Sequence, residues 1–79
     1  MKKISIKQKI VLEVIEDFQK KYGISPTIRE IADILEQSTH PVFEKLQGLE
    51  KFGYIKTMNG KARSIVILKH VEEPEDDDY

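Results

Sequence analysis

Apolar residues recur along the chain in three helical patterns and then in an alternating one. Ile6, Ile10, Val11, Val14, Ile15, Phe18 and Tyr22 fall at three- and four-residue steps and predict a first helix with one core-facing stripe. Ser5 and Gln8 stand at the spacing of a reciprocal cap, in which the hydroxyl accepts from the Gln8 amide and the Gln8 side chain returns to the Ser5 amide. Gly23 follows, where a left-handed helix end is expected. A second helix opens at Thr27, three residues before Glu30, and Pro26 discourages an earlier start. Ile28, Ile31, Ala32 and Leu35 give it one apolar face. Glu36 to His40 read as a tight turn. Ser38 or Thr39 can cap a third helix, and Pro41 suits its first turn, where no amide donor is needed. Val42, Leu46 and Leu49 then face inward. Ser38, His40, Pro41, Phe43, Glu44 and Lys45 are left on the outward side, and Gly53 ends the helix.

Two strand-like runs, YIKTM and KARSIVIL, flank Asn59-Gly60. Both turn residues tolerate positive φ, so the pattern predicts a hairpin with a two-residue turn. In the second strand, Ser64 to Leu68, either Ile65 and Ile67 or Val66 and Leu68 must pack on the helices. The pattern dies from Lys69 onward, and VEEPEDDDY predicts a disordered acidic tail over residues 70–79. The expected fold is mostly α with a small antiparallel β-hairpin: a three-helix winged helix-turn-helix over residues 1–69. The third helix of such a fold can lie in a DNA major groove, with the hairpin as a wing beside it.

Composition sharpens this picture in three ways. A 79-residue chain forms one small domain, whose core supplies about 3–5 kcal/mol of net stability. There is no Cys, hence no disulfide or thiolate metal site. No apolar run approaches the ~20 residues of a membrane span and no signal peptide is visible, so a cytoplasmic, nucleoid-associated protein is expected. The net charge of −1 hides an asymmetry. Six of the 14 acids lie in the last eight residues, and residues 1–71 carry 13 Lys and Arg against 8 acids, a net of +5. A basic body is compatible with nucleic acid.

Pro26-Thr27, Glu30-Ile31-Ala32, Leu46, Leu49 and Gly53-Tyr54-Ile55 together resemble the DNA-binding domain of the LexA repressor family, as do Ser5 to Gln8 at the start and Lys61 with Arg63 to Leu68 in the wing. The resemblance covers about residues 4–68. It implies a winged helix that reads a short operator half-site through its third helix. By position it places the base-reading side chains at Ser38, His40, Pro41, Phe43 and Glu44, and the wing contacts around Asn59 to Arg63. Departures from the family pattern are a turn one residue shorter, Glu36 where Gly is common, and His40, Pro41 and Phe43 where small or polar residues are usual. The family's second domain, with its Ser-Lys peptidase dyad and dimer contacts, has no counterpart in these residues, so the resemblance brings neither self-cleavage nor the usual dimer. Met1 and the distinct acidic end are read as those of a complete small protein.

The expected interface then has two parts. Phosphate contacts fall to Lys56, Lys61, Arg63 and Asn59 at the wing, Thr39 and Lys45 on the third helix, and Thr27 and Arg29 at the second helix's N-terminus. Base contacts suit Ser38 and His40, which carry donors and acceptors, Glu44, which can accept from cytosine N4, and Phe43, which can pack on a thymine methyl. Plainer roles compete with these. Ser38 can be a helix cap, Phe43 can roll to the core's edge or anchor a protein partner, and the cations can be solvated surface. Catalysis has no support: His40 and His70, the only histidines, sit in different elements, and no nucleophile–base–acid spacing exists. The acids of the tail lack the glycine-turned loop of a calcium site, so no metal or cofactor is expected. The expected function is a sequence-specific regulator of transcription, most simply a repressor, that binds double-stranded DNA as a homodimer or as adjacent monomers. The alternative is a protein–protein interaction module that grips a host regulator or polymerase subunit through Phe43 or the acidic tail.

Overall fold

Two reciprocal caps set where the first two helices begin. The computed structural model describes residues 4–58 and 63–69. Helix α1 spans Ile6–Tyr22 and helix α2 spans Ile28–Leu35, capped by Ser5 and Thr27. Each cap hydroxyl accepts from the amide three residues on, and Gln8 or Glu30 returns a bond to the cap amide, all between 2.8 and 3.1 Å. Helix α3 spans Thr39–Lys51. The intervening turn is shorter than the expected Glu36 to His40, because Thr39 and His40 are already helical and Ser38 takes the extended N-cap conformation.

Helices α2 and α3 close in the same way. Gly53, at φ 84°, donates to Glu50 O at 3.0 Å while Tyr54 donates to Leu49 O at 2.9 Å. Glu36, at φ 57°, donates to Asp33 O at 3.2 Å while Gln37 donates to Ala32 O at 2.9 Å. Both are paired closures around a left-handed residue, a conformation that favours glycine. One of them is built on glutamate.

The core lies where α1 crosses α3, with α2 and the wing closing it. Val11, Leu12 and Ile15 of α1 meet Ile31 and Ala32 of α2, Val42, Leu46 and Leu49 of α3, and Ile55 and Ile65 of the wing. This corrects the expected α1 stripe. Leu12 is buried, whereas Ile6, Ile10 and Tyr22 are 77%, 42% and 56% exposed. For Ile6 and Ile10 the cause is helical geometry: a row taken every fourth residue winds about 40° round the helix per step. The row Ile6, Ile10, Val14, Phe18 therefore starts on the outer side and only later turns toward the core. At the crossing, Gly48 lies against the Gln8 side chain, and a Cβ there would fall on the Gln8 amide.

The wing is a short antiparallel ladder, β1 at Ile55–Lys56 and β2 at Val66–Ile67. Of the two packing alternatives, Ile65 and Ile67 turn inward, while Val66 and Leu68 are about half exposed. Ile55 faces Ile67 and Lys56 faces Val66. A two-residue turn at Asn59-Gly60 continuing the ladder would have set Lys56 opposite Arg63 instead. The ladder is thus offset from the register expected. Asn59-Gly60 itself, and the tail from residue 70, lie outside the described residues.

Candidate nucleic-acid interface

Burying one face of α3 fixes the other outward. Val42, Leu46 and Leu49 are at most 5% exposed. The opposite row, at helical spacing, holds His40, Phe43, Glu44 and Gln47, all exposed. Side-chain bonding along this row stays within one helical turn. His40 Nε2 lies 3.1 Å from Glu44 Oε2, both well exposed. Lys45 Nζ donates to Pro41 O at 3.5 Å. Ser38 occupies the N-cap position of α3 but its side chain makes no capping bond, so the plain cap role proposed for it is not taken up. Thr39 is exposed in the first turn and Pro41 is half-buried.

A groove of about 430 Å³ runs between α3, the start of α2 and the wing. Phe43, Leu46, Met58 and Ile65 give it an apolar lining, and Thr27, Arg29, Gln47 and Arg63 a polar one. Phe43 lines the groove and is 44% exposed. The groove gathers Thr27, Arg29, Phe43 and Arg63; it does not include Ser38, His40, Pro41 or Glu44, at the start and on the N-terminal half of α3.

The wing root is held by bonds that cross the chain. Arg63 Nη2 donates to Glu30 Oε2 at 2.8 Å and Nη1 to Glu30 Oε1 at 3.0 Å, and Nη1 also reaches Ser25 O at 3.2 Å. Ile65 N donates to Ser25 Oγ at 3.2 Å, and Gln19 Nε2 donates to Ile65 O at 3.2 Å. Arg63 holds the Glu30 carboxyl below its ordinary pKa, helped by the Thr27 amide. Thr27's hydroxyl is engaged by the Glu30 amide, and a carboxylate already stands at the α2 N-terminus. Lys56 is exposed on β1 and Arg29 on the first turn of α2. Asn59 and Lys61 lie outside the described residues.

Gln47 was not among the expected contacts, although it lies seven residues from His40 and four from Phe43 on the same face. That spacing was the available signal. The Arg63–Glu30 bridge joins residues 33 apart in sequence and left no local trace.

No helix among the described residues is long and apolar enough to cross a membrane, and no cluster there could hold a metal ion. Residues 1–64 match the family model described as the LexA DNA binding domain. A LexA repressor of Leptospira biflexa is 39% identical over 69 residues, covering 87% of this chain and 34% of its own. A LexA repressor of Thermotoga neapolitana is 40% identical over 72 residues, covering 91% and 36%. The chain thus spans about a third of the length of these curated relatives. With three helices, a two-stranded wing and this match, the chain belongs to the LexA DNA-binding domain family.

Proposed function

We propose that this chain is a non-enzymatic, sequence-specific regulator of transcription, a repressor, that binds double-stranded DNA without a cofactor. Helix α3 enters the major groove. Ser38, His40, Pro41, Phe43 and Glu44 face base edges there, and Gln47, whose amide can pair with adenine, extends the row. Lys56, Asn59 and Lys61 follow the backbone from the wing, with Thr39, Lys45 and Arg29 flanking α3 and Thr27 beside them. The observation that carries this reading is the division of α3 into a buried row and an exposed row, His40 to Gln47, whose side-chain bonding stays within one helical turn. Such bonds can be exchanged for contacts to bases without disturbing the core. One short half-site is too little for specificity, so two copies occupy adjacent half-sites.

Selection on random duplexes tests the proposal. An enriched motif with two-fold symmetry is expected, and affinity should fall with salt with a log–log slope of roughly −4 to −5, for four to six neutralised phosphates. Removing residues 71–79 takes away six acids and should tighten binding at low salt. Equal affinity of the full and shortened chains would remove any role for the tail in DNA binding.

One observation favours a second reading. Phe43 is partly exposed beside an apolar groove, which suits a protein partner. Selection that enriches no motif, together with stoichiometric capture of a host regulator or polymerase subunit that Phe43→Ala abolishes, would establish it.

A further inference from the structure

We infer that Arg63 serves DNA binding as a positioning residue and not as a phosphate ligand: its fork onto Glu30 fixes the wing against the helix-turn-helix. The inference rests on the DNA-binding reading above. Three acceptors converge on this one guanidinium: both Glu30 oxygens and the Ser25 carbonyl. Glu30 is itself held a further time, because its Oε1 also accepts from the Thr27 amide. The two planar groups meet edge to edge, a geometry that arginine supplies and lysine does not.

Arg63 is also held at φ 55°, a left-handed conformation that a bulky residue keeps only when its surroundings impose it. Two residues on, Ile65 is tied through its amide to Ser25 and through its carbonyl to Gln19. The descending limb of the wing is thus fastened at Arg63 and Ile65 to α1 through Gln19, to the α1–α2 connection through Ser25 and to α2 through Glu30. Glu30 offsets the Arg63 charge at 2.8 Å, so a phosphate near the guanidinium gains less than it would from an unpaired cation. What the pair supplies to DNA binding is the placement of Lys56 and the rest of the wing relative to α3.

The test uses anisotropy on a selected duplex, with amide exchange on the protein alone. Under the positioning role, Glu30→Gln, which keeps the acceptor for Thr27, weakens DNA binding about three- to tenfold. Arg63→Lys weakens it to a similar degree, and Arg63→Gln leaves the salt slope at the wild-type value. Under a phosphate-ligand role the signs differ. Glu30→Gln would tighten binding, Arg63→Lys would preserve it, and Arg63→Gln would lower the slope by about one; any of these results overturns the inference. Exchange at the Ile65 and Leu68 amides should quicken in Glu30→Gln and Arg63→Lys while the α1 amides stay protected. Unchanged exchange there would refute the fastening even if the wild-type chain bound no duplex, an outcome that would by itself defeat only the DNA-binding reading.

Discussion

The outward face of α3 and the root of the wing are both polar, yet they bond on different scales. On the N-terminal two turns of α3, His40 pairs with Glu44 and Lys45 with Pro41, each four residues away, and only at the far end does Glu50 leave the helix, accepting from Thr57 seven residues on. At the wing root, Arg63, Ile65 and Gln19 make bonds spanning 33 to 46 residues. A bond within one helical turn can be given up without moving any element. A bond between distant segments cannot, because it holds those segments in place. The contrast separates side chains free to meet a ligand from side chains that shape the surface, and the role inferred for Arg63 belongs to the second group.

The largest expected effect lies behind both regions. Leu49→Ala removes a fully buried side chain beneath α3 and should cost about 2–5 kcal/mol. That is comparable to the whole stability of about 3–5 kcal/mol expected for a domain of this size. Thermal unfolding by circular dichroism should show the cooperative transition lost or moved close to room temperature. Next comes the wing root. Ser25→Ala withdraws the acceptor of the Ile65 amide and should cost about 1–2 kcal/mol, read as a lower denaturant midpoint at unchanged slope. A loss below a few tenths would show that the long-range bonds carry less than the contrast claims.

The turn between α2 and α3 offers a change in the opposite direction. Glu36 and Gly53 occupy equivalent places in two like helix ends, but only Gly53 is free of a Cβ in the left-handed region. Glu36→Gly should therefore stabilise by about 1 kcal/mol and raise the melting temperature by about 4–8 °C. A lower melting temperature would mean that the Glu36 side chain contributes more than its backbone strain removes.

Acid should then loosen the wing before the core. Glu30 has a lower pKa folded than unfolded, so its bridge adds stability above the ordinary carboxylate range near 4.5 and loses it as pH falls through the depressed value. Exchange at Ile65, corrected for intrinsic rates, should rise over that window in the wild type and show no such rise in Glu30→Gln.

Legibility in the sequence follows the same division of scale. The two reciprocal caps, the Gly23 and Gly53 ends and the inward row of α3 were readable because each depends on residues three or four apart. The α1 stripe is only partly legible, since both Ile10 and Leu12 fit apolar periodicity and only the crossing with α3 chooses between them. The wing register was not readable, because Asn59-Gly60 predicts a pairing that local turn chemistry favours, whereas Ile55 and Ile67 are aligned by the core they cover. For the proposed interface, the exposed row of α3 followed from its buried row, but the partner of Arg63 required the fold.

The smallest expected effect on stability accompanies the most direct test of the central claim. His40→Ala and Glu44→Ala should each change stability by less than about 0.5 kcal/mol, as exposed substitutions do. Each should nevertheless alter which base is preferred when affinity is measured by anisotropy across duplexes carrying every single-base change in the selected site. A preference shifted at one or two positions, with the others unmoved, is the predicted result. Affinities that stay the same, or that fall equally on every duplex, would contradict the account of α3 as the reading surface.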